Sequence, residues 1–565
     1  MGTMRLATFF LLALLILIPL GADSQNVVRV PPFAGTNYLN DFIMGDTLAN
    51  GTRRDTNAVY VLTRGANYLS NAIIRNTGWT FRLRANDTTG NVAKPSVFLY
   101  PNPTTQLPPG QFLDMRGNAT LKNVLISGYF EPLPDNLTAL QGALFNTTAA
   151  GLNLTLDSCI LTNTNGNHVR TDQPPRVVKI TNCIFANMGY LGRSNFGAGK
   201  GIDVRAGSVD SLIMVNNTFV NWQDRIIRHF ASTANIQYLR FEHNTCVNGI
   251  SYHGFLSLGR LGRRAIITNN LLIDAFAAAQ DTDGTRQAEF TDNTEKDAFG
   301  GPRMTWIFSV PNDSTSWTVK NNFYRITPAG QSFMDSASFL PLVANPALTK
   351  GSPLTYHINA KLGADSATAF QTHTAALGNV PAFMKEMLKW YRRPAAPPDS
   401  GAAKTKNTGT WKPRFDYDRR GYVYLRDTLD GSYPTLNAMY TAATGGYPVG
   451  DLNWFPSRKA AWLGDPVSGV AGQPDLPSSF ELSQNYPNPF NPSTRIQYAL
   501  SGAARVTLEV FDILGRNVAT LVNGELVPAG EHAVLFNASG FASGVYFYRL
   551  STAERVMTRK MMLIK

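Results

Sequence analysis

The chain is 565 residues long, with 51 Lys and Arg against 39 Asp and Glu, a formal net charge of +12 with neutral histidines. Hydrophobic residues make up 44%, and Gly (47) and Pro (33) are near ordinary usage, which excludes collagen, low-complexity disorder and a multi-pass membrane protein. The length calls for several domains. A charged fraction of only 16%, with abundant Asn, Thr and Ser, points to an extracellular β-rich protein, and three cysteines allow at most one intrachain disulfide.

Arg5 precedes an apolar run from Phe9 to Ile18, followed by Pro19 and the small residues Ala22 and Ser24. This is signal-peptide anatomy, with cleavage expected after Ser24 or after Ala22. The run is shorter than the roughly 20 apolar residues that span a bilayer, and no later segment qualifies, so no transmembrane segment is expected.

One phrase recurs through the next three hundred residues. It reads Leu121-Lys122-Asn123-Val124-Leu125-Ile126, then Leu156-Asp157-Ser158-Cys159-Ile160-Leu161, then Ile180-Thr181-Asn182-Cys183-Ile184-Phe185. It returns at Val215-Asn216-Asn217-Thr218-Phe219, His243-Asn244-Thr245-Cys246, Asn269-Asn270-Leu271-Leu272 and Asn321-Asn322-Phe323. Anchored on 123, 158, 182, 217, 244, 270 and 322, the spacings are 35, 24, 35, 27, 26 and 52 residues, and the last reads as two rungs with one hidden between Asn270 and Asn322. A period in the mid-twenties without helical periodicity predicts one turn of a β-solenoid per repeat. An inward Asn at each bend would bond backbone groups and the equivalent Asn one rung away, about 4.8 Å along the stack. A second register upstream, including Leu144-Phe145-Asn146, Ile202-Asp203-Val204-Arg205, Ile226-Ile227-Arg228, Phe255-Leu256-Ser257 and Trp306-Ile307-Phe308, predicts another stacked sheet. Alternation puts Ile202 and Val204 inward and Asp203 and Arg205 outward. Val59 to Leu62, Phe81 to Ala85 and Val97 to Tyr100 read as the opening rungs.

These repeats resemble the right-handed parallel β-helix family that includes pectate-lyase-like proteins. The resemblance is one of architecture and implies no single enzyme. The parallel β-helix is expected over 25–344, after the signal peptide at 1–24. An irregular, capping extension follows over 345–466. Within it, Phe383, Met384, Met387, Leu388 and Tyr391 share one helical face after Pro381, and Gly450 to Phe455 with Trp462 form either a packing cluster or an aromatic sugar-binding surface.

After a Gly/Pro/Ser-rich linker at 467–479, short alternating strands such as Ile496 to Leu500, Val506 to Val510 and Val545 to Leu550 predict a small β-sandwich over 480–565. The fold class is therefore all-β, a solenoid followed by a small sandwich. The tail carries Asn485-Tyr486-Pro487-Asn488-Pro489-Phe490-Asn491-Pro492, Phe511-Asp512-Ile513-Leu514-Gly515-Arg516, Ala538 to Tyr548 and Arg559 to Lys565. In these motifs it closely resembles the type A sorting domain of the type IX secretion system. That resemblance implies a Gram-negative host of the Bacteroidota type, passage through the periplasm, engagement of the type IX machinery, and delivery to the cell surface or the medium.

Two kinds of function fit an exported solenoid: a glycan-binding or structural surface protein, and a polysaccharide lyase acting on an acidic polysaccharide. Lyase chemistry needs a cation or Arg on the uronate carboxylate and a base for the adjacent proton. Between residues 225 and 264 there are six arginines (Arg225, Arg228, Arg240, Arg260, Arg263, Arg264) against Glu242 alone, with His229, His243 and His253 among them. Arg205, Arg228 and His229 are the candidate catalytic residues, and Asp203, Arg225, His253 and Arg260 the candidate substrate-binding residues. The competing reading is a solvated or locally paired basic surface. Asp203, Asp224 and Glu242 are too few for a convincing calcium site, so no metal or other cofactor is expected, with Ca2+ the weakly supported exception. Asp281 and Asp283 read as a turn rather than a hydrolase pair. Acidic polysaccharide or lipopolysaccharide is the expected partner of the basic charge, and nucleic acid is not expected outside the cell.

Overall fold

The computed structural model describes residues 26–87, 92–128, 142–164, 166–188, 193–194, 199–229, 234–249, 251, 254–275, 306–330, 353–381, 408–410, 429–464, 480–482, 484–485, 487–500, 504–527 and 530–564. The signal peptide, the helix expected after Pro381, His253, Asp281 and Asp283 lie outside the described residues.

Parallel strands form one 17-stranded and one 10-stranded sheet. The larger sheet has two faces, because the 13-residue strand Leu256–Thr268 pairs with Arg225–His229 through its first half and with Asn235–Glu242 through its second. We call the face containing Arg225–His229 sheet 1, the face containing Asn235–Glu242 sheet 2, and the ten-stranded sheet, which contains Thr218–Trp222, sheet 3. A typical rung enters on sheet 2 (Val209–Val215), turns into sheet 3 (Thr218–Trp222) and leaves on sheet 1 (Arg225–His229). Val59–Leu62, Phe81–Ala85 and Ser96–Leu99 are strands of the opening rungs, where the apolar strings place them. Alternate residues point inward, so rings stack along the axis: Phe81, Phe112 and Phe145 in the early rungs, then Phe185, Phe219, Phe241, Phe255 and Trp306 at 5.0–6.2 Å between centroids. At the N-terminal end, helix Leu39–Met44 buries Leu39 and Ile43, and the Arg53 guanidinium lies 4.0 Å over the Trp79 ring.

The bends explain the asparagines. Between sheets 2 and 3 each rung has a residue at positive φ: Asn123, Ser158, Asn182, Asn216, His243, Asn269 and Asn321. Asn tolerates this left-handed conformation better than most residues. The next residue points inward, and from Asn217 onward it is Asn. Asn217 Nδ2 donates to Asn244 Oδ1 (3.0 Å), Asn244 Nδ2 to Asn270 Oδ1 (3.1 Å), and Asn270 Nδ2 to Asn322 Oδ1 (2.8 Å).

Two expectations are corrected here. The anchors at 123, 158 and 182 belong to the positive-φ position. The inward position of those rungs is held by Val124, Cys159 and Cys183, since Ile160, Ile184 and Thr218 pair in register. No rung separates Asn270 from Asn322 either. Leu271 pairs directly with Phe323, so the 52-residue interval is a single rung with a long excursion. A second Asn ladder, at the bend from sheet 3 toward sheet 1, escaped the sequence reading: Asn187 donates to Asn163 (2.9 Å), Asn221 to Asn187 (3.0 Å) and Asn248 to Asn221 (2.6 Å).

Parallel pairing continues past residue 344, because Phe370–Thr372 adds to Asn322–Arg325 at the end of sheet 3. Residues 429–464 then fold back as a strap over the bend between sheets 2 and 3. Thr444 N donates to Asn269 Oδ1 (3.0 Å), Gly450 N to Asn269 O (2.8 Å), Asn453 Nδ2 to Asn216 O (2.8 Å), and Lys459 Nζ to Asn182 Oδ1 (2.7 Å). Leu452, Phe455 and Trp462 are buried with Val215, Leu271 and Phe323. The aromatic cluster is therefore packing, and the Trp462 ring covers His243 at 5.2 Å.

The tail is an antiparallel sandwich. A three-stranded sheet (Glu481–Leu482, Ser493–Leu500, Gly530–Asn537) faces a four-stranded one (Asn517–Val527, Ala504–Phe511, Gly544–Ser551, Val556–Leu563) across a core of Ile496, Leu508, Val510, Phe536, Tyr548 and Met561.

Candidate functional site

The outer face of sheet 1 gathers charge. Arg75, Asp114, Asn146, Arg170, Asp203, Arg228 and Ser257 fall in one column because each pairs in register with the next. Arg116, Asp172 and Arg205 lie two residues further along their own rungs. The inward neighbours Phe145, Val169, Ile202, Ile227 and Leu256 are core residues, so the alternation read from Ile202 to Arg205 holds.

The charges interlock from rung to rung. Arg75 and Arg116 both reach Asp114, at 3.3 and 3.1 Å. Arg170 Nε lies 2.9 Å from Asp172, which also accepts from Asn146 Nδ2 (2.9 Å). Arg205 bridges Asp172 (3.7 Å) and Asp203 (3.8 Å), and Arg228 Nε donates to Asp203 at 2.6 Å. Asp203 is only 1% exposed and also accepts from Asn167 Nδ2, whereas Arg75, Arg116, Arg170 and Arg205 are 35–49% exposed. Asp114 and Asp203 therefore lie at the floor, with Arg75, Arg116, Arg170, Arg205 and Asp172 at the rim. From Arg75 to Arg228 the ladder spans five rung steps, about 24 Å at ~4.8 Å per step.

A second, buried cluster lies at the bend entering sheet 1. The positions preceding the strands at 143, 167, 200 and 225 are Gly142, Gly166, Gly199 and Asp224, so a carboxylate stands in a column of glycines. Lys200 Nζ is 3.0 Å and Arg225 Nε 3.2 Å from Asp224, with both Lys200 and Asp224 1% exposed. Burial lowers the proton affinity of Lys200 below the ordinary lysine range, against the opposing pull of Asp224.

Several sequence expectations change. Arg205, Arg228 and Asp203 do share one face. His229 does not: it has the parity of Ile227, points inward, and its ring nitrogens contact Leu258 O (3.1 Å) and Gly207 O (3.4 Å). Burial also lowers its proton affinity, so it is no base on the outer face. The arginine-rich stretch is not an uncancelled patch, because Arg228, Arg225 and Arg240 pair with Asp203, Asp224 and Glu242. Arg225 belongs to the buried cluster. Arg260 sits apart, in register with Asn235 and Val310 where the long strand passes from sheet 1 to sheet 2. Arg75, Arg116, Arg170, Asp172 and Lys200 were missed. The readable signal was a charged residue at the register position of most rungs, Arg75, Asp114, Arg170, Asp203 and Arg228, with Asn146 and Ser257 in the others. Among the described residues no three His, Cys, Asp or Glu side chains are grouped to hold a metal ion. The ladder's carboxylates are engaged by guanidinium and amide groups instead of converging on one point.

Among the described residues no helix is long and apolar enough to cross a membrane. Neither the curated proteins nor the solved structures compared with the chain give a significant match. Residues 484–565 match the family described as the secretion system C-terminal sorting domain. The chain thus joins a parallel β-helix to a type IX sorting domain, and it is a secreted protein delivered to the cell surface.

Proposed function

We propose that the solenoid is a binding element for acidic glycans at the cell surface, with the outer face of sheet 1 as the contact surface. The observation that carries this reading is the rim of partly exposed guanidinium groups, Arg75, Arg116, Arg170 and Arg205, spread over four rung steps or about 19 Å of one face. Exposed ion pairs contribute only about 0–1 kcal/mol each to stability, so folding alone gives little reason for a row of them. A guanidinium held by an acid on one side keeps donors free for a carboxylate or sulfate on the other, and its planar fork suits bidentate contact. The sorting domain supports the reading from a second direction, since it delivers this face to the cell exterior, where acidic polysaccharides and lipopolysaccharide lie.

Binding should be measured on a panel of uronate polysaccharides at several salt concentrations. Arg170→Ala with Arg205→Ala should weaken it about tenfold, equivalent to ~1.4 kcal/mol, and wild-type affinity should fall steeply with salt because such charges are screened beyond roughly 8 Å at physiological ionic strength. Wild-type chain that binds no acidic glycan at low salt overturns the proposal.

A second reading, polysaccharide lyase, draws on Lys200. Burial lowers its proton affinity against the pull of its ion pair with Asp224, and it lies beside Arg225 and Arg228; at 1% exposure it would serve as a base only for a substrate group that enters the bend before sheet 1. Under that reading wild-type chain generates the ultraviolet absorbance of an unsaturated product from the same panel, and Lys200→Met abolishes it. Under the binding reading no variant and no wild-type sample produces the signal.

A further inference from the structure

The sorting domain divides its own motif residues between two faces. In the strands Ala504–Phe511, Gly544–Ser551 and Val556–Leu563, Val506, Leu508, Val510, Tyr546, Tyr548, Leu550, Met561 and Leu563 face the core. Those residues hold the sandwich: Tyr548 OH accepts from Asn485 N (2.8 Å) and Tyr546 OH donates to Ala542 O (2.8 Å). The alternate positions Phe511, Val545, Phe547 and Met562 face outward, where the free side of an antiparallel sheet is ordinarily polar. Phe511 pairs with Phe547 and Val545 with Met562, so the four side chains adjoin.

The hairpin beside them points the same way. Asp512 accepts from Leu514 N (2.9 Å), Arg516 N (3.0 Å) and Arg516 Nε (2.7 Å), fixing a tight turn with Gly515 at φ +77°. This turn holds Ile513 and Leu514 at 71% and 72% exposure. Two aliphatic side chains on a rigid tip continue the apolar strip, and exposed strips of this kind mark interaction surfaces. Its borders are polar: Arg549 stacks on Phe511 at 4.3 Å and pairs with Glu509 at 2.9 Å, Arg516 pairs with Asp512 at the tip, and Lys560 is exposed beside Phe547.

We propose that the strip formed by Phe511, Val545, Phe547 and Met562 with the Ile513–Leu514 tip is where a protein of the type IX export machinery docks. That partner presents a complementary apolar patch. The inference rests on the sorting-domain reading of the tail and assigns its recognition to one face of one sheet. The residues facing the core shape the domain, and those facing outward are the contact.

The test uses the full-length chain expressed in a host that has type IX export, with the periplasmic and external fractions quantified. Phe547→Ser and the double variant Ile513→Ser, Leu514→Ser should each reduce the external fraction about tenfold, the size of effect expected when an interface anchor is truncated. Ser551→Ala, at the opposite end of the same sheet, should be exported like wild type. Circular dichroism and protease resistance of the purified chains establish that the fold is intact. If Phe547→Ser disturbs the fold, the Ile513 and Leu514 variant decides, because those side chains are largely in solvent already. Normal export of the variants, with retention of a chain lacking 480–565, leaves the sorting reading standing and overturns the docking strip. Normal export of that truncated chain as well overturns both. If Phe547→Ser instead converts a self-associated chain to monomer with export unchanged, the strip serves a second copy and the proposal falls.

Discussion

Asn244→Ala tests the inward ladder at its best-connected member. The Asn244 side chain makes four hydrogen bonds: Oδ1 accepts from Asn217 N (3.1 Å) and Asn217 Nδ2 (3.0 Å), and Nδ2 donates to Met214 O (3.0 Å) and Asn270 Oδ1 (3.1 Å). Three of the partners have other bonds: Asn217 Nδ2 also donates to Ile180 O, Asn270 Oδ1 also accepts from Asn244 N, and Met214 lies within the strand ladder in register with Phe241. The fourth, Asn217 N, loses its acceptor in a fully buried place. Leaving one buried polar group unsatisfied costs about 1–3 kcal/mol, which is the expected loss. Each rung is stabilised by its neighbours, so the damage should spread to the rungs on either side before it reaches the ends. Denaturant unfolding followed by circular dichroism, with hydrogen exchange to localise the effect, measures both quantities. The control is Thr120→Ala on the exposed face of sheet 2, which should fall within about 0.5 kcal/mol of wild type. Equal unfolding midpoints for Asn244→Ala and the control would refute the reasoning.

Three further outcomes are expected. Burial raises the Asp451 carboxyl to about 7, against hydrogen bonds from Asn453 N (2.9 Å) and Thr218 Oγ1 (2.7 Å) and the nearby Lys459. The folded chain therefore keeps a proton that the unfolded chain releases near its ordinary value of 3.8, so this stabilisation is complete below that pH and is lost as pH rises through about 7. Hydrogen-exchange protection of the strap should thus decline between mildly acidic and mildly alkaline buffer, and Asp451→Asn should flatten the decline. Cys159, Cys183 and Cys246 are buried free thiols, with Cys183 Sγ accepting from Cys159 N at 3.3 Å, so unreduced mass spectrometry after denaturing alkylation should find all three labelled, and labelling of the native chain should find none. Removing 480–565 should leave a folded solenoid confined to the periplasm, and that truncated chain appearing outside the cell in normal amounts would count against the tail as its address.

The solenoid could be read from the sequence because each rung repeats a geometric demand, but the repeat was read one residue out of register in its first half. Two adjacent positions favour Asn for different reasons. One, at Asn216, Asn269 and Asn321, needs a residue tolerant of positive φ; the next, at Asn217, Asn270 and Asn322, needs an amide that can bond along the stack. Where the second is Val124, Cys159 or Cys183, a reading that follows the letter slips onto the first, at Asn123, Ser158 and Asn182. Cys246 stands in a different column from Cys159 and Cys183, in register with Phe185, Phe219 and Leu272.

The face of the candidate site was less legible than its fold, because a solenoid places its charge partners one rung apart. Arg228 is answered by Asp203, 25 residues earlier, and Lys200 by Asp224, 24 residues later. A count of charge over residues 225–264 misses Asp203, one rung back, and stops one residue short of Asp224, the partner of Arg225; only Glu242, the partner of Arg240, falls inside it. His229 failed for a related reason: its chemistry was noticed before its parity, although Ile227 two residues earlier already fixed the side on which it stands. In this fold the rung is the unit within which charge must be balanced and direction assigned. Once the residues are aligned by rung, the row of exposed arginines along sheet 1 is what persists, and its length and direction are properties that no single stretch of the chain contains.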